Sequence, residues 1–279
     1  MNKILQKCGL DTKNSTFIIA EAGINHGGDL NVAIRLIESA ARAGADAVKF
    51  QTYLTEKRCP ANRPDVFRIL KKCELPFDHF RILKDHAEKC GIIFFSTPFD
   101  EDSVDYLESI NCEIYKIASF DISNIRLVEK VAKTGKAVLL SVGMAEIAEI
   151  KKSYGTLKKG TDKISILHCI SSYPTEEFDA HLANIRVLIE SFDCVIGQSD
   201  HTNEINVPLY SVAAGAQVLE KHFRLNAHED CVDASVSIDE NQMTKLVKEV
   251  RRLEKILGEP RFGVRNSERS IIPFRRTTT

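Results

Sequence analysis

Short apolar runs alternate with longer amphipathic runs along the whole chain. The first apolar run, 16–20, has Phe17-Ile18-Ile19-Ala20 at its heart and predicts a strand. A helix is predicted at 30–43, where Ala33, Leu36, Ile37, Ala40 and Ala41 fall at i, i+3, i+4 spacing and Gly44 stops the run. Further strands are predicted at 46–50, 92–96, 113–118, 137–141, 164–169, 195–198 and 217–221. Between and after them the helical period returns at 76–90, 100–110, 124–133, from 144 to near 157, and at 182–191, 205–215 and 239–257. Pro76 stands where a first helical turn tolerates it, and Asp100 reads as an N-cap. One excursion breaks the rhythm. Residues 53–75 carry Pro60 and Pro64 and predict only a short helix around 66–72.

Eight strands, each followed by a helix, in 279 residues predict a (β/α)8 TIM barrel, an α/β fold. The barrel is expected to be one domain over 1–276, with a short N-terminal segment at 1–15. A doubly wound sheet would carry GxGxxG after its first strand; here that turn reads GINHGG, with the wrong spacing. There is no internal repeat and no low-complexity segment, and the final RRTTT reads as a loose end.

Composition narrows the function classes. The formal net charge of −1 leaves no electrostatic footprint for nucleic acid or an anionic membrane. No apolar run approaches the roughly 20 residues that span a bilayer. The N-terminal MNKILQKCGLDTKNS lacks a signal-peptide core and cleavage site. Eight cysteines are scattered without a CxxC pair, which removes zinc-ribbon and thioredoxin readings. A reducing, cytoplasmic setting is expected.

Chemistry in such a barrel sits at the C-terminal ends of the strands. Strand one offers Glu21, Asn25 and His26 there. Strand two offers Lys49 and Gln51, strand three Thr97, and strand four Lys116, Ser119 and Asp121. Strand five offers Ser141 and strand six Ser171 and Tyr173. Strand seven brings Ser199, Asp200 and His201, and strand eight Glu220, Lys221 and His222, with Asp233 shortly after. Two lysines among hydroxyls make an anion site. The alternative is that Lys49 and Lys116 form interior salt bridges with Glu21 and Glu220, since a lysine inside AVKF or IYKIA needs a partner in either case. His201 and His222 close adjacent parallel strands, so their rings can meet, and two neutral imidazoles suit a divalent cation. The alternative for them is two ordinary histidines with hydrogen-bond partners. Glu21, Asp121 and Asp233 can handle a sugar hydroxyl or move a proton. The residues alone point to metal-assisted chemistry on a small phosphorylated anion, either an aldol-type addition or a phosphoryl cleavage.

The motifs IAEAGINHGG, AVKFQTY, FFSTPFD, YKIAS, SVGMA, CISSYPT, IGQSDHT and LEKHF occur in this order. As a set they resemble the sialic acid synthase family, which makes N-acetylneuraminate and related nonulosonates, and the resemblance runs from Phe17 to about Arg276. It implies a (β/α)8 barrel that condenses phosphoenolpyruvate with an N-acetylated hexosamine and releases phosphate. It implies that His201 and His222 hold a divalent metal, Mn2+ first with Mg2+ or Co2+ as alternatives, which polarises the aldehyde of the open-chain sugar. Lys49, Thr97, Lys116, Ser119, Ser141 and Ser199 would hold phosphoenolpyruvate, with Ser171 beside its phosphate. Glu21, Gln51, Tyr173 and Asp233 would position the sugar, and Asp121 would lie near the reacting centre. Glu21, Lys49, Lys116, Asp121 and Asp233 are the residues expected to carry catalysis.

Departures from the family pattern concern the sugar. Ser171 stands where the N-acetylneuraminate branch carries asparagine, Asp121 replaces a longer glutamate, and Cys231-Val232-Asp233 replaces Gly-Pro-Asp. N-acetylmannosamine therefore shares the field with diacetamido-trideoxyhexoses leading to legionaminic or pseudaminic acid. Family members form homodimers and continue into a small antifreeze-like lid over the partner's barrel. That lid is expected to be absent here, or supplied by a separate domain or chain. Two rivals stand beside this expectation. One is a related phosphoenolpyruvate aldolase acting on a phosphorylated sugar, which would need a second phosphate site. The other is a lid-less, non-catalytic binding homologue.

Overall fold

The computed structural model describes residues 16–59, 62–226 and 230–276. The expected N-terminal segment 1–15 and the last three residues of the loose end lie outside them. Eight parallel strands close into a barrel in chain order. They are β1 (Phe17–Gly23), β2 (Ala47–Thr52), β3 (Ile93–Pro98), β4 (Ile114–Ile117), β5 (Ala137–Ser141), β6 (Ile164–His168), β7 (Val195–Asp200) and β8 (Val218–His222). The outer layer is α1 (Leu30–Arg42), α4 (Phe77–Cys90), α5 (Glu101–Ser109), α6 (Ile125–Ala132), α7 (Ile147–Leu157), α8 (Ala183–Ser191), α9 (Asn206–Ala213) and α10 (Glu240–Leu257). The sequence-predicted TIM barrel is the observed fold.

Most strands run past their predicted C-terminal ends. β1 continues through Glu21 to Gly23, β7 through Ser199 to Asp200, and β8 by one residue to His222. Hydrophobicity stops before the strand does, because polar side chains at this end pair with one another inside the barrel. The registers put Glu21 opposite Lys49 and His222, and Ser199 opposite Glu220. Deeper down the barrel is tight. A Cβ on Gly197 of β7 would fall 2.4 Å from the Val218 carbonyl oxygen of β8, so only glycine lets these strands approach.

Outside the barrel, β7 and β8 share a second polar contact. Asp200 and Lys221 are register partners, pair at 2.8 Å, and are buried under the helical layer. The Asp200 carboxylate also accepts from the Thr202 N–H at 3.1 Å and its hydroxyl at 2.8 Å, and the Lys221 ammonium donates to the Thr202 carbonyl. Each member of this pair immediately precedes one of the two histidines.

The excursion after β2 is a packed unit. It holds α2 (Thr55–Arg58), which the sequence pattern did not predict, and α3 (Pro64–Cys73). Ile24, Tyr53, Cys59, Leu70 and Cys73 form a small core of their own, with Val66, Phe67 and Phe99 against it. The Tyr53 hydroxyl donates to the Leu70 carbonyl at 2.9 Å. Glu74 accepts from the Thr55 N–H and Asp100 from the Leu54 N–H, both at 2.8 Å, which fixes the start of α2. The seven described cysteines form no disulfide. No described helix is long and apolar enough to cross a membrane.

Candidate active site

A cavity of about 230 Å³ opens at the C-terminal mouth of the barrel. Its floor is a charge lattice. Lys49 Nζ lies 2.9 Å from Glu21 Oε1 and 3.6 Å from Glu220 Oε2, and it donates to Thr97 Oγ1 at 3.0 Å. Lys116 Nζ and Ser199 Oγ both donate to Glu220 Oε1 at 2.8 Å. The interior salt bridges are therefore present, and the same groups line the cavity. Glu220 is the counter-ion that joins both lysines. Burial would push its carboxyl up, but Lys116 and Lys49 outweigh that and hold it well below the usual carboxylate range. Burial also pulls against the Lys49 ammonium, which Glu21 and Glu220 hold above the ordinary lysine value; for Lys116 burial wins, with Lys49 adding to it.

Several buried polar atoms here have no hydrogen-bond partner in the protein: Glu21 Oε2, Gln51 Oε1, Ser141 Oγ and Glu220 Oε2. Buried polar atoms are rarely left unpaired. In a cavity wall they are sites waiting for a polar ligand. Gln51 Nε2 donates to Glu21 Oε1 at 3.1 Å, which turns its own oxygen toward the space.

The histidine wall stands beside the floor. The His201 and His222 ring centroids are 5.5 Å apart. Tyr173 stacks on His201 at 4.2 Å and meets His222 edge-on at 5.8 Å. His201 Nδ1 is 2.6 Å from the Ile170 carbonyl, so Nδ1 carries the proton and Nε2 keeps its lone pair. Burial, then His222, lowers the His201 pKa to about 3, so the ring is neutral. His222 Nδ1 is buried without a hydrogen bond, with Asp233 Oδ2 3.4 Å away. Asn25 holds Asp233 in place. Its Oδ1 accepts from the Asp233 N–H at 3.0 Å, while its Nδ2 donates to the Phe223 carbonyl and to Ser237 Oγ, both at 2.9 Å.

Do these groups fit a divalent cation? Among the described residues, no group of three or more His, Cys, Asp and Glu side chains could hold a metal ion. Two imidazoles with available lone pairs do fit one ion whose other positions go to water or substrate. Bonds of about 2.1 Å to one nitrogen of each ring bridge centroids up to roughly 6 Å apart. A carbonyl behind one imidazole is the outer support that metal-binding histidines usually have.

Glu21, Lys49, Gln51, Thr97, Lys116 and Ser119 line the cavity, as do Ser141, Tyr173, Ser199, His201, His222 and Asp233. Asp121 and Ser171 do not. Asp121 ends a 3-10 turn, Ser119–Asp121, and its carboxylate accepts from Asn124 Nδ2 at 3.1 Å. The turn presents Phe120 to the cavity instead. Ser171 packs behind Gly143, where an added Cβ would fall 2.3 Å from its Oγ. Gly143 donates its N–H to Ser119 Oγ at 3.1 Å and to Cys169 Sγ at 3.2 Å.

Ile24, Arg58, Phe99, Ala118, Phe120 and Glu220 complete the lining. Sequence reasoning missed Arg58, which sits in a four-residue helix without periodicity. Glu220, expected as a salt-bridge partner of the lysines, is found at both of them.

The sequence profile of the NeuB family matches residues 36–261. An uncharacterized protein of Methanocaldococcus jannaschii is 44% identical over 92% of this chain and 76% of its own length. The N,N'-diacetyllegionaminic acid synthase of Campylobacter jejuni is 38% identical over 91% of this chain and 80% of that one. Among solved structures, an N-acetylneuraminic acid (sialic acid) synthetase from Leptospira borgpetersenii, in complex with citrate, superposes with a TM-score of 0.91. It is 42% identical, with 94% of this chain and 91% of that chain covered.

Proposed function

This chain belongs to the NeuB family, and from that premise we propose that it condenses phosphoenolpyruvate with an unphosphorylated N-acetylated hexosamine to a nonulosonate and phosphate. The observation that carries this reading is the convergence, in one cavity, of two buried lysines, an unpartnered serine hydroxyl and two facing histidine rings.

Lys49 and Lys116, with Thr97, Ser119, Ser141 and Ser199, receive the phosphate and carboxylate of phosphoenolpyruvate. The lysines are already desolvated and oriented by Glu21 and Glu220, so little reorganisation is needed as charge develops. Ser141 Oγ gains a partner only when the anion is present. Glu21 Oε2 and Gln51 Oε1 accept from sugar hydroxyls, and Tyr173 and Asp233 hold the sugar against the histidine wall. A divalent metal held by His201 and His222, Mn2+ first with Mg2+ or Co2+ as alternatives, would supply Lewis-acid polarisation of the sugar aldehyde.

The reaction forms a bond between C3 of phosphoenolpyruvate and C1 of the sugar, and the aldehyde oxygen gains a proton. Water adds at C2 and gives up one proton, which balances the one gained by the aldehyde oxygen. The C2–O bond to phosphate then breaks as the C2 hydroxyl becomes the ketone and its proton leaves with the phosphate. Glu21 faces this space with an unpartnered oxygen and is the group suited to take the water's proton.

Charge favours the unphosphorylated acceptor. The cavity lining carries Lys49, Arg58 and Lys116 against Glu21, Glu220 and Asp233. A divalent cation would balance much of one phosphoenolpyruvate and leave nothing for a second phosphate. A cytoplasmic setting is part of the reading and is supported by the described cysteines, which remain thiols. The test is phosphate release by the purified protein with Mn2+. Release should need both phosphoenolpyruvate and an N-acetylated hexosamine, and should stop with chelator or in His201→Ala and His222→Ala. No release across a panel of mono- and diacetamido sugars would refute the reading.

A further inference from the structure

Arg58 is a half-buried cation with one buried donor that has no hydrogen-bond partner. Its Cζ lies 3.6 Å from the centroid of Phe99 and 4.5 Å from that of Tyr53, so two rings fix the plane of the guanidinium. Its Nη1 is buried and has no hydrogen-bond partner. The side chain reaches the cavity wall, on the side of Glu21, Asp121 and Asp233, whose charges act on it without a hydrogen bond. This placement is constructed. Asp100 and Glu74 anchor the two ends of the Leu54–Thr55 entry, and the small core around Tyr53 carries α2. A desolvated donor with no acceptor is costly in a protein interior, and it is rational where a ligand supplies the acceptor.

The surroundings say which acceptor. A phosphate or carboxylate at Nη1 would face Asp233 and Asp121 at the same mouth. A sugar hydroxyl would find carboxylates close by and has no special need of a cation. A neutral amide carbonyl accepts strongly and adds no charge. We propose that Arg58 is a specificity-determining residue that binds the N-acyl carbonyl of the acceptor sugar. The proposal rests on the condensation reading above and names the group by which that site would know its substrate.

The test removes the two partners separately and together. Arg58→Met should raise the acceptor KM about ten- to a hundredfold, the range expected for a hydrogen bond to a charged group. The KM for phosphoenolpyruvate should change less than about twofold, since Arg58 stands apart from the lysine floor. The acceptors are N-acetylmannosamine and a 2,4-diacetamido-trideoxyhexose, each compared with mannose, which lacks the N-acyl group. Wild type should prefer the acylated sugar, and Arg58→Met should lose most of that preference. A general loosening of the site would not do this. Arg58→Gln, which keeps a planar donor, should recover part of it and guards against misfolding of the methionine variant.

The same comparison by titration calorimetry, with each sugar alone, reads Arg58 without turnover. Turnover by wild type with an unchanged N-acyl preference in Arg58→Met overturns the role of Arg58 alone. Absence of turnover by wild type, with N-acyl-dependent binding that Arg58→Met loses, overturns the condensation reading and supports Arg58. Neither turnover nor sugar binding by wild type overturns both.

Discussion

Lys221→Met probes the element that brings the two histidines together. Lys221 and Asp200 are an ion pair at 2.8 Å with side chains 0% and 1% exposed. Removing one partner leaves a carboxylate buried under the helical layer, and such half-removals cost about 3–5 kcal/mol. Asp200 would keep its two bonds from Thr202, which argues for the lower end, about 3 kcal/mol. For a chain near this size, each kcal/mol lowers the midpoint by about 2–4 °C, giving a drop of roughly 6–12 °C. Scanning calorimetry and urea unfolding should both show it. Asp200→Asn combined with Lys221→Met should lose clearly less than the sum of the single variants, because the second change removes the orphan created by the first. A single-variant loss below about 1 kcal/mol, or strict additivity, would refute the claim that this pair holds β7 and β8 in register.

Two further outcomes follow from other contacts. Burial lowers the His26 pKa from 6.5 to about 4, so the folded state favours the neutral ring. Its contribution is complete above pH 6.5 and disappears as pH falls toward 4, worth about 3 kcal/mol in all; His26→Gln should flatten the stability–pH curve in that window, and an unchanged slope would contradict it. Gly143→Ala would put a Cβ 2.3 Å from Ser171 Oγ, 2.9 Å from Cys169 Sγ and 3.0 Å from Ser119 Oγ. It should raise the phosphoenolpyruvate KM by about tenfold through the displaced Ser119, and adding Ser171→Ala should recover part of the loss; an unchanged KM would show that Ser119 does not bind the anion.

The barrel was legible because its periodicities are clean. Runs such as FIIA, AVLL and VLE can only be inward-and-outward strands between amphipathic helices. Lysines inside AVKF and IYKIA announced a polar interior, and the rim logic of the fold collected most of the lining residues. What escaped had physical causes. Strand ends were set short because Glu21, Ser199 and His222 look like loop residues until their partners on neighbouring strands are known. Asp121 and Phe120 exchange places because a 3-10 turn, not a strand, follows β4. Ser171 packs its hydroxyl against Gly143 and is not among the cavity-lining residues. Arg58 had no sequence signal at all. One apparently ordinary basic residue in a proline-bearing excursion becomes distinctive only when Tyr53 and Phe99 close on it.

The equal numbers of cations and carboxylates in the cavity lining also bear on how substrates arrive. A balanced mouth casts almost no field into solvent, so a multiply charged anion diffusing past gains no acceleration toward it. Its encounter rate with the cation-free protein should then be nearly flat in ionic strength. Two positive charges lodged between His201 and His222 would tip that balance and turn the mouth attractive. Such a cation would then favour an order of arrival, cation before anion, without any moving part.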